Sequence, residues 1–408
     1  MDFREWVRRS IGIDELWEVE EPSFDDGPLR MTVPVVYKGP CQCPICGREC
    51  GRYDTRTRNW RDLNFGTSRL DIVARFPRIK CPEHGIHEMD IPWAGKASRL
   101  TLRFEKTCIS YACAMPVKLA SDLLDVSDTT IWRIIKREAD DGMRLLNLSD
   151  LTEVCVDETQ TTKGHSYITI VYNATTGLPI FATEGKDAST MDAFVLWLIH
   201  HGGDPLKIKY ISTDMSSSFL LGCRQAFPNA KVVIDRFHVM KNANSMVDDT
   251  RRQCGIKSSK AKGLRFKFLR NSDDLDEHER ARIEPVLEEY EPLGIAYAIK
   301  EAVRDFYSSQ DPYHCDVHLR MIVNAALDSG VNRVVQFGNT LDRHFYDISQ
   351  WHFRNISNGI AEGNNSVIQA MKSASRGFRN IGNMIDMIYL RSIKNGVLNG
   401  STPNPGGI

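Results

Sequence analysis

Five apolar segments in the middle of the chain decide the fold: EVCVDET (153–159), SYITIVYN (166–173), LPIFATEG (178–185), KIKYISTD (207–214) and AKVVIDRFHVM (230–240). Each is typical of a β-strand, and the first three follow one another closely. The turn NATTG (173–177) is too short for a parallel crossover, so we expect these three strands to form an antiparallel meander. Helix-like segments at 189–203 and 216–227 precede the fourth and fifth strands, which should therefore join the sheet in parallel.

This strand order predicts an α/β fold, a mixed five-stranded sheet with helices packed on it, which is the ribonuclease-H-like arrangement. After Met240 the pattern is helical to near the end of the chain. We predict a ribonuclease-H-like domain in two pieces, 150–240 and 352–400, around an all-α insertion at 241–351. Three regions precede it: an acidic and turn-rich N-terminal segment (1–40), a small zinc-binding domain (41–95) and a helical domain (96–147).

Composition excludes several classes of protein. The 408 residues are 42% hydrophobic and 26% charged, which is ordinary for a globular protein and excludes a fibrous or wholly disordered chain. No apolar run approaches the ~20 residues of a membrane span. The charged N-terminus lacks the apolar core of a signal peptide, so we expect a cytoplasmic protein.

The charge is small in sum but uneven along the chain. The net charge is 52 − 53 = −1, yet residues 231–270 carry 11 Lys and Arg against 3 Asp and Glu, whereas residues 271–305 carry 4 against 11. Strong local fields of this kind are compatible with a DNA-binding enzyme that has an acidic surface elsewhere.

Two cysteine-containing turns predict a zinc site. The chain has 11 cysteines and no secretion signal, which favours reduced thiols or a metal site over disulfides. Three thiolates and one imidazole suit a structural, tetrahedral Zn²⁺, and the pairs Cys-Pro-Ile-Cys-Gly and Cys-Pro-Glu-His supply Cys43, Cys46, Cys81 and His84. His87 could replace His84, and Cys41 and Cys50 are spare candidates. The alternative is a set of buried free cysteines near a turn.

Residues 115–142, MPVKLASDLLDVSDTTIWRIIKREADDG, predict a helix-turn-helix. Apolar residues recur at helical spacing on both sides of the turn DVSD, and Ser127 or Asp128 would cap the second helix. In such motifs the second helix enters the major groove of DNA. We expect it to present Thr129, Thr130, Arg133, Lys136 and Arg137 to DNA; the alternative is a plain helical hairpin between two domains.

Two acidic residues follow neighbouring strands of the predicted sheet. Asp157 ends the first apolar strand and Asp214 ends KIKYISTD, and these strands should lie side by side. Two like charges placed together are costly unless a cation lies between them. Mg²⁺ or Mn²⁺ is the natural occupant because hard cations prefer oxygen ligands. Taken singly, each acid could instead cap the turn that follows it.

A two-metal phosphoryl-transfer site needs a third acid, and the best candidate is Glu362 near the start of a predicted helix. It lies among residues that permit close approach to DNA or bond to it, namely Gly359, Gly363, Asn364 and Asn365. Cations that could line a phosphate groove follow at Lys372, Arg376 and Arg379. The alternative is a first-turn glutamate favoured by the helix dipole.

Asp235 and His238 form a second polar cluster, in DRFHV. Asp235 is the rival for the second metal ligand, but its strand should lie one place further from Asp157, so we assign Asp235 and His238 to supporting or DNA-strand contacts. A structural Asp–His hydrogen bond is the alternative. Further predicted phosphate contacts, or residues of a solvated helix face, are Arg236, Lys241, Asn242, Arg251 and Arg252. Trp351 could stack on a base or pack in the core.

With these residues in view, the chain resembles the DDE transposases of bacterial insertion sequences, and specifically the ISL3 family. The resemblance rests on CPICG, KCPEHG, VDET, STDMSSSF, AFPNAKVVIDRFHVMKNAN and AEGNNSVIQAMKSASRGFRN. It implies a catalytic trio of Asp157, Asp214 and Glu362 that holds two Mg²⁺ ions. One departure is the C-x2-H pair at Cys81 and His84, where the family tends to have a second C-x2-C pair.

The resemblance implies an enzyme that binds transposon ends, hydrolyses a phosphodiester there, and joins the freed 3′-hydroxyl to target DNA. Its partners would be terminal inverted repeats and target DNA, with at least a dimer on DNA. No covalent protein intermediate is needed. The alternatives are a non-catalytic regulator derived from a transposase and a structure-specific nuclease of the same fold.

Overall fold

The computed structural model of the chain divides into two compact units, Met1–Ile135 and Lys136–Ile408. For residues 3, 25, 218, 359–362, 364 and 365, the structure describes the backbone and not the side chain. It describes residues 3–25, 30–95, 98–161, 167–256, 263–309, 311–353, 359–375, 378 and 380–394.

The first unit contains a six-stranded sheet. Helix α1 (Phe3–Ile11) precedes its strands, which are β1 (Trp17–Val19), β2 (Ser23–Asp25), β3 (Arg30–Tyr37), β4 (Gly51–Phe65), β5 (Ser68–Cys81) and β6 (Gly85–Glu88). The order is β1-β3-β5-β4, with β2 on β3 and β6 on β5. Strands β3 and β5 pair in parallel, whereas the other pairs are antiparallel. The strands that precede the first cysteine therefore share one sheet with those that follow it.

Strand β5 lies between β3 and β4, and every second residue in its middle belongs to the core. Leu70, Ile72, Ala74 and Phe76 are at most 2% exposed. Burying an aliphatic or aromatic side chain of this size contributes about 1.5–3 kcal/mol. These side chains form one core with Trp17, Trp60 and Trp93, and that core holds the first unit together.

Three helices follow this sheet: α2 (Leu102–Ala114), α3 (Val117–Leu124) and α4 (Asp128–Arg144). Helix α3 ends at Asp125, whose φ of 49° is left-handed, and Ser127 caps α4 by accepting a hydrogen bond from the N–H of Thr130 at 3.3 Å. Arg61 of β4 donates to the carbonyl of Leu124 at 2.9 Å and so fastens the end of α3 to the sheet. The predicted helix-turn-helix is confirmed, with Ser127 as the cap.

The second unit contains the predicted five-stranded sheet. Its strands are β7 (Glu153–Gln160), β8 (Tyr167–Asn173), β9 (Pro179–Glu184), β10 (Tyr210–Thr213) and β11 (Lys231–Ile234). The order is β11-β10-β7-β8-β9, with β7, β8 and β9 antiparallel and β10 and β11 parallel to β7. The predicted mixed sheet is therefore confirmed. One detail differs: β7 continues beyond Asp157 to Gln160, because these residues still pair with β8.

Helices cover this sheet and form the region that follows it. They are α5 (Ser189–His200), α6 (Ser217–Ala226), α7 (Arg236–Gln253), α8 (Arg265–Leu269), α9 (Glu277–Glu289), α10 (Glu291–Ser308), α11 (Cys315–Leu327), α12 (Asn332–Arg343), α13 (Phe345–Phe353), α14 (Gly359–Ala374) and α15 (Ile381–Lys394). One continuous core joins the sheet to α7 and the later helices. Trp351 packs against this core, edge-to-face with Tyr307 at 5.2 Å between ring centroids.

None of the helices in the described parts of the chain combines the length and the apolar character needed to cross a membrane.

Candidate functional site

Three aspartates lie at one edge of the five-stranded sheet. The β10–β7 register, continued two residues past its last pair, places Asp214 level with Asp157. The β10–β11 register, continued by one residue, places Asp214 level with Asp235. Neighbouring strands lie about 4.8 Å apart, and residues that are level in a parallel sheet face the same side. We call Asp157, Asp214 and Asp235 the carboxylate row; Asp214 is its middle member.

The carboxylate row is electrostatically strained. Burial raises the pKa of the Asp157 carboxyl above its usual value, and the nearby Asp235 and Asp214 raise it further. The N–H of Glu158, which donates to Asp157 Oδ1 at 2.8 Å, and the charge of His238 act in the opposite direction. A cation among these oxygens would relieve the repulsion, so the donor set suits a hard divalent ion.

Both oxygens of the Asp235 carboxylate contact the first turn of α7. One oxygen accepts the N–H of Phe237 at 3.2 Å and caps α7, and the other lies 3.1 Å from Nδ1 of His238. This hydrogen bond raises the pKa of His238 although burial opposes it, and Asp157 and Asp214 add to the rise. His238 therefore pairs with Asp235 and lies within electrostatic reach of Asp157 and Asp214.

Helix α14, which carries Glu362, is attached to the end of β7. The side-chain amide of Gln369 donates to the hydroxyl of Thr159, and the ammonium of Lys372 donates to the carbonyl of Gln160. The order of these contacts shows that α14 and β7 run in the same direction here. The side chain of Glu362 lies outside the described residues.

The cations predicted to contact DNA have different surroundings. Arg236 and Lys241 are exposed in the first two turns of α7, and the guanidinium of Arg236 lies 5.7 Å from the centroid of the Tyr307 ring. Arg251 is 19% exposed and donates to Asp248 at 2.8 Å, and Arg252 donates to the same carboxylate at 2.5 Å. Asn242 is exposed, and Arg376 and Arg379 lie outside the described residues.

The predicted zinc ligands meet in the first unit. One ligand atom from each of Cys43, Cys46, Cys81 and His84 lies within 4.8 Å of the other three. The sulfur of Cys46 is 3.9 Å from that of Cys81, and Nδ1 of His84 is 3.5 Å from the Cys81 sulfur and 3.8 Å from the Cys43 sulfur. A tetrahedron with normal Zn–S and Zn–N bonds has edges of about 3.5–3.8 Å, so these distances suit a zinc ion.

Two matched turns build this cluster. Gly47 follows Cys46 with φ 71°, and Gly85 follows His84 with φ 81°, conformations that favour glycine. Burial alone would raise the pKa of the Cys81 thiol, but hydrogen bonds from the backbone of His84 and Glu83 lower it to about 6, which favours the thiolate.

Nε2 of His87 lies 2.6 Å from the carbonyl oxygen of His84, so this nitrogen is engaged with the backbone. Cys50 is also engaged, since its sulfur donates to the carbonyl of Arg48 at 3.3 Å. These contacts, with the four ligand atoms gathered at one point, favour His84 over His87 and Cys50 as the fourth ligand.

Helix α4 has one apolar and one polar side. Ile131, Ile134 and Ile135 are at most 4% exposed. The polar residues predicted to contact DNA lie on the opposite side, with Thr129, Arg133 and Lys136 exposed and Thr130 and Arg137 half-buried.

The sequence interpretation missed two charged residues near the carboxylate row. Burial raises the pKa of Glu158 to about 7, with Asp214 adding to the rise and Lys186 opposing it. Lys186 lies two residues after β9 and is exposed. The signal was present in the sequence, because β9 ends at the same edge of the sheet as β7 does.

Comparison with known proteins gives a consistent result over almost the whole chain. Family models match in succession: the zinc-finger of transposases IS204/IS1001/IS1096/IS1165 at residues 39–84, the helix-turn-helix domain of transposase family ISL3 at 89–139, and an ISL3 transposase model at 154–388.

Full-length relatives agree with these matches. The chain is 24% identical over 421 residues to the transposase for insertion sequence element IS1557 of Mycobacterium tuberculosis, with 94% of both chains covered. It is also 24% identical over 386 residues to the transposase for IS1001 of Bordetella parapertussis, covering 91% of this chain and 94% of that one.

Proposed function

Because the chain belongs to the ISL3 family of transposases and is thus an enzyme of DNA transposition, we propose that it binds the ends of its insertion sequence, cleaves them and transfers the freed strand to target DNA. The observation that carries the chemical part is the carboxylate row: acids far apart in sequence become level on adjacent strands. Two-metal phosphodiester hydrolysis uses such oxygen ligands around divalent cations and needs no nucleophilic side chain.

Asp157 and Asp214 would hold Mg²⁺ together with Glu362. When bound, the cations supply Lewis-acid stabilisation of the phosphate charge and lower the pKa of a water. Asp235 has both oxygens engaged by Phe237 and His238, so its role in the proposal is to orient His238. His238, with its raised pKa, donates a hydrogen bond to an oxygen of the bound phosphate.

The position of Glu362 in α14 supports its place in the trio. It precedes Gln369 by seven residues, which is nearly two helical turns, so the two positions share one side of the helix. Gln369 contacts Thr159, and moving back along the helix by about 10 Å follows β7 back towards Asp157. This position on the helix supports a place for Glu362 beside Asp157 and Asp214.

The zinc cluster and helix α4 would select the DNA. In the proposal, Cys43, Cys46, Cys81 and His84 bind a structural Zn²⁺ that fixes β6 and the two turns. Thr129 and Arg133 of α4 contact bases in the major groove of the terminal repeats, and Lys136 and Arg137 contact phosphates. Synapsis of two ends requires at least two copies of the chain on DNA.

A cleavage assay with Mg²⁺ and a duplex carrying the element's own terminal sequence tests the proposal. The wild-type protein should cut at the element boundary, and Asp157→Asn should lower the cleavage rate at least about a thousandfold, or ~4 kcal/mol at 1.36 kcal/mol per tenfold. Binding of the same duplex, measured in Ca²⁺ by fluorescence anisotropy, should change less than about threefold.

Ser189→Ala is a matched control, because Ser189 is exposed on the same domain and lies at the start of α5. Binding without cleavage by the wild-type protein would indicate a regulator, and cleavage of branched DNA only would indicate a structure-specific nuclease. Either result would overturn the proposal.

A further inference from the structure

Lys186 lies at the same edge of the sheet as the carboxylate row. Strand β9 is antiparallel to β8, which is antiparallel to β7, so β7 and β9 run in the same direction and end at one edge. The first residue of β8, Tyr167, also lies at this edge, where it pairs with Gln160. Asp214 and Asp235 thus lie on one side of β7 and Lys186 on the other, all at the same edge of the sheet.

The backbone holds Lys186 in place. Gly185 has φ 115°, which favours glycine, and its N–H donates to the carbonyl of Tyr167 at 2.9 Å. Its own carbonyl accepts the hydroxyl of Thr169 at 2.9 Å. These bonds close the turn after β9, so the residue that follows cannot swing freely.

The side chain of Lys186 is fixed as well. Its Nζ lies 4.1 Å from the centroid of the Tyr167 ring, a cation–π contact. The ring covers one side of the ammonium, which keeps N–H donors for another partner, and the residue is exposed. The charge of Lys186 also opposes the rise in the pKa of Glu158, the residue that follows Asp157.

We propose that Lys186 is a positioning residue that binds one phosphate of the DNA strand held at the carboxylate row. This inference rests on the proposed function and adds the direction in which the strand crosses the edge, from the row past β7 towards β9. A DNA strand held only by the metal ions at the acids could rotate about the scissile phosphate. A fixed cation beyond β7 provides a second point of attachment and so aligns the strand.

Phosphate scanning tests this role. The probe is the duplex carrying the element's terminal sequence, with a neutral methylphosphonate placed at one position after another near the cleavage site, and affinity is measured in Ca²⁺. For the wild-type protein, one neutral position beside the scissile phosphate should weaken binding about fivefold. In Lys186→Ala the unmodified probe should bind about fivefold more weakly, and the same methylphosphonate should cause no further loss.

The salt dependence gives a second readout. Each phosphate contact that is removed lowers the slope of log affinity against log salt by about 0.7–0.9. Lys186→Ala should show this decrease and raise KM for cleavage more than it lowers kcat, whereas Lys186→Arg should restore most of the affinity.

Lys209 provides the matched control. It is also exposed and immediately precedes β10, so it lies at the opposite edge of the same sheet. Lys209→Ala should bind like the wild-type protein at every methylphosphonate position. Equal behaviour of the two alanine variants, or a Lys186→Ala defect that is the same at all phosphates, would overturn the inference. Because affinity is measured without cleavage, this result is separate from the loss of cleavage that tests the acids.

Discussion

The Cys3His cluster and the carboxylate row are two candidate metal sites built in different ways. The cluster draws its ligands from two five-residue turns, Cys43–Gly47 and Cys81–Gly85, and its four ligand atoms lie within 4.8 Å of one another. The row draws Asp157, Asp214 and Asp235 from three strands, and only the pairing of those strands makes them level. A closed set leaves no ligand position for substrate, whereas an open row at a sheet edge leaves its remaining positions to water and phosphate.

A third charged cluster shows what makes the row distinctive. Burial alone would raise the pKa of Asp248, but hydrogen bonds from Arg251 and Arg252 lower it below its usual value. Arg265 donates to the same carboxylate at 3.0 Å. The chain thus supplies cations to Asp248, whereas in the row burial and neighbouring acids raise the pKa of Asp157. Carboxylates such as Asp157, which are buried beside other acids, are the ones that favour an external cation.

The largest effect is expected from removing one ligand of the Cys3His cluster. His84→Ala should abolish zinc binding, which is worth about 10–16 kcal/mol of folding free energy in small zinc domains. Hydrogen exchange should then show loss of protection in β4 to β6 but unchanged protection in β7 to β11, and a zinc-responsive dye should detect less metal.

The matched variant is His87→Ala, since His87 is engaged with the backbone of His84. It should retain zinc. Loss of zinc from His87→Ala and not from His84→Ala would reverse the ligand assignment.

A smaller effect is expected from single substitutions in the carboxylate row. Asp214→Asn should lower the rate of DNA cleavage at least about a thousandfold, ~4 kcal/mol. Asp235→Asn removes a group that orients His238, and such supporting groups cost about 10–100-fold. Rates from single-turnover cleavage measure both, and a more severe defect in Asp235→Asn would identify Asp235 as the metal ligand instead.

A further effect is expected at Asp248. Asp248→Asn should lower the free energy of unfolding by about 2 kcal/mol, because hydrogen bonds to charged groups contribute about 1.5–3 kcal/mol. The folded pKa is below the unfolded value of about 3.9, so this stabilisation is present above that pH and is lost as pH falls through the folded pKa. Urea unfolding at several pH values measures it.

Asp249→Asn is the neighbouring control, since Asp249 is 29% exposed and its ion-pair contacts are 3.6 and 3.9 Å. It should cost less than about 1 kcal/mol. A wild-type advantage over Asp248→Asn that grows as the pH falls below 4 would contradict the assignment.

The smallest effect is expected at the turn of the helix-turn-helix. Ser127→Ala removes the cap of α4 and should cost about 1 kcal/mol. Thermal unfolding measures the loss, and Ser127→Asp, which can still cap, should restore it. An unchanged melting temperature in Ser127→Ala would show that the cap contributes nothing.

The strand order of the five-stranded sheet could be predicted because short turns allow few ways of connecting neighbouring strands. NATTG allows only an antiparallel connection, and the helices at 189–203 and 216–227 impose parallel ones. The zinc ligands could be predicted for a related reason, since each pair lies within a single turn. Local geometry therefore determined what the sequence could predict.

Features that depend on pairing between distant segments could not be predicted. The parallel pairing of β3 with β5 joins segments more than thirty residues apart, and alternation within β5 does not identify its neighbour. The continuation of β7 past Asp157 depends on its pairing with β8. Lys186, by contrast, could have been found from the predicted meander, because β7 and β9 run in the same direction and end at the same edge.

The order of the two units along the chain has a consequence for synthesis. Domains fold as they leave the ribosome, N-terminal ones first. The turns that gather Cys43 and His84 and the helix that begins at Asp128 are complete early, whereas Glu362 is added more than two hundred residues later. Under the proposed function, a growing polypeptide would carry its DNA-contacting residues long before the acid that completes the cleavage site, and a prematurely terminated product would occupy the ends and compete with intact enzyme.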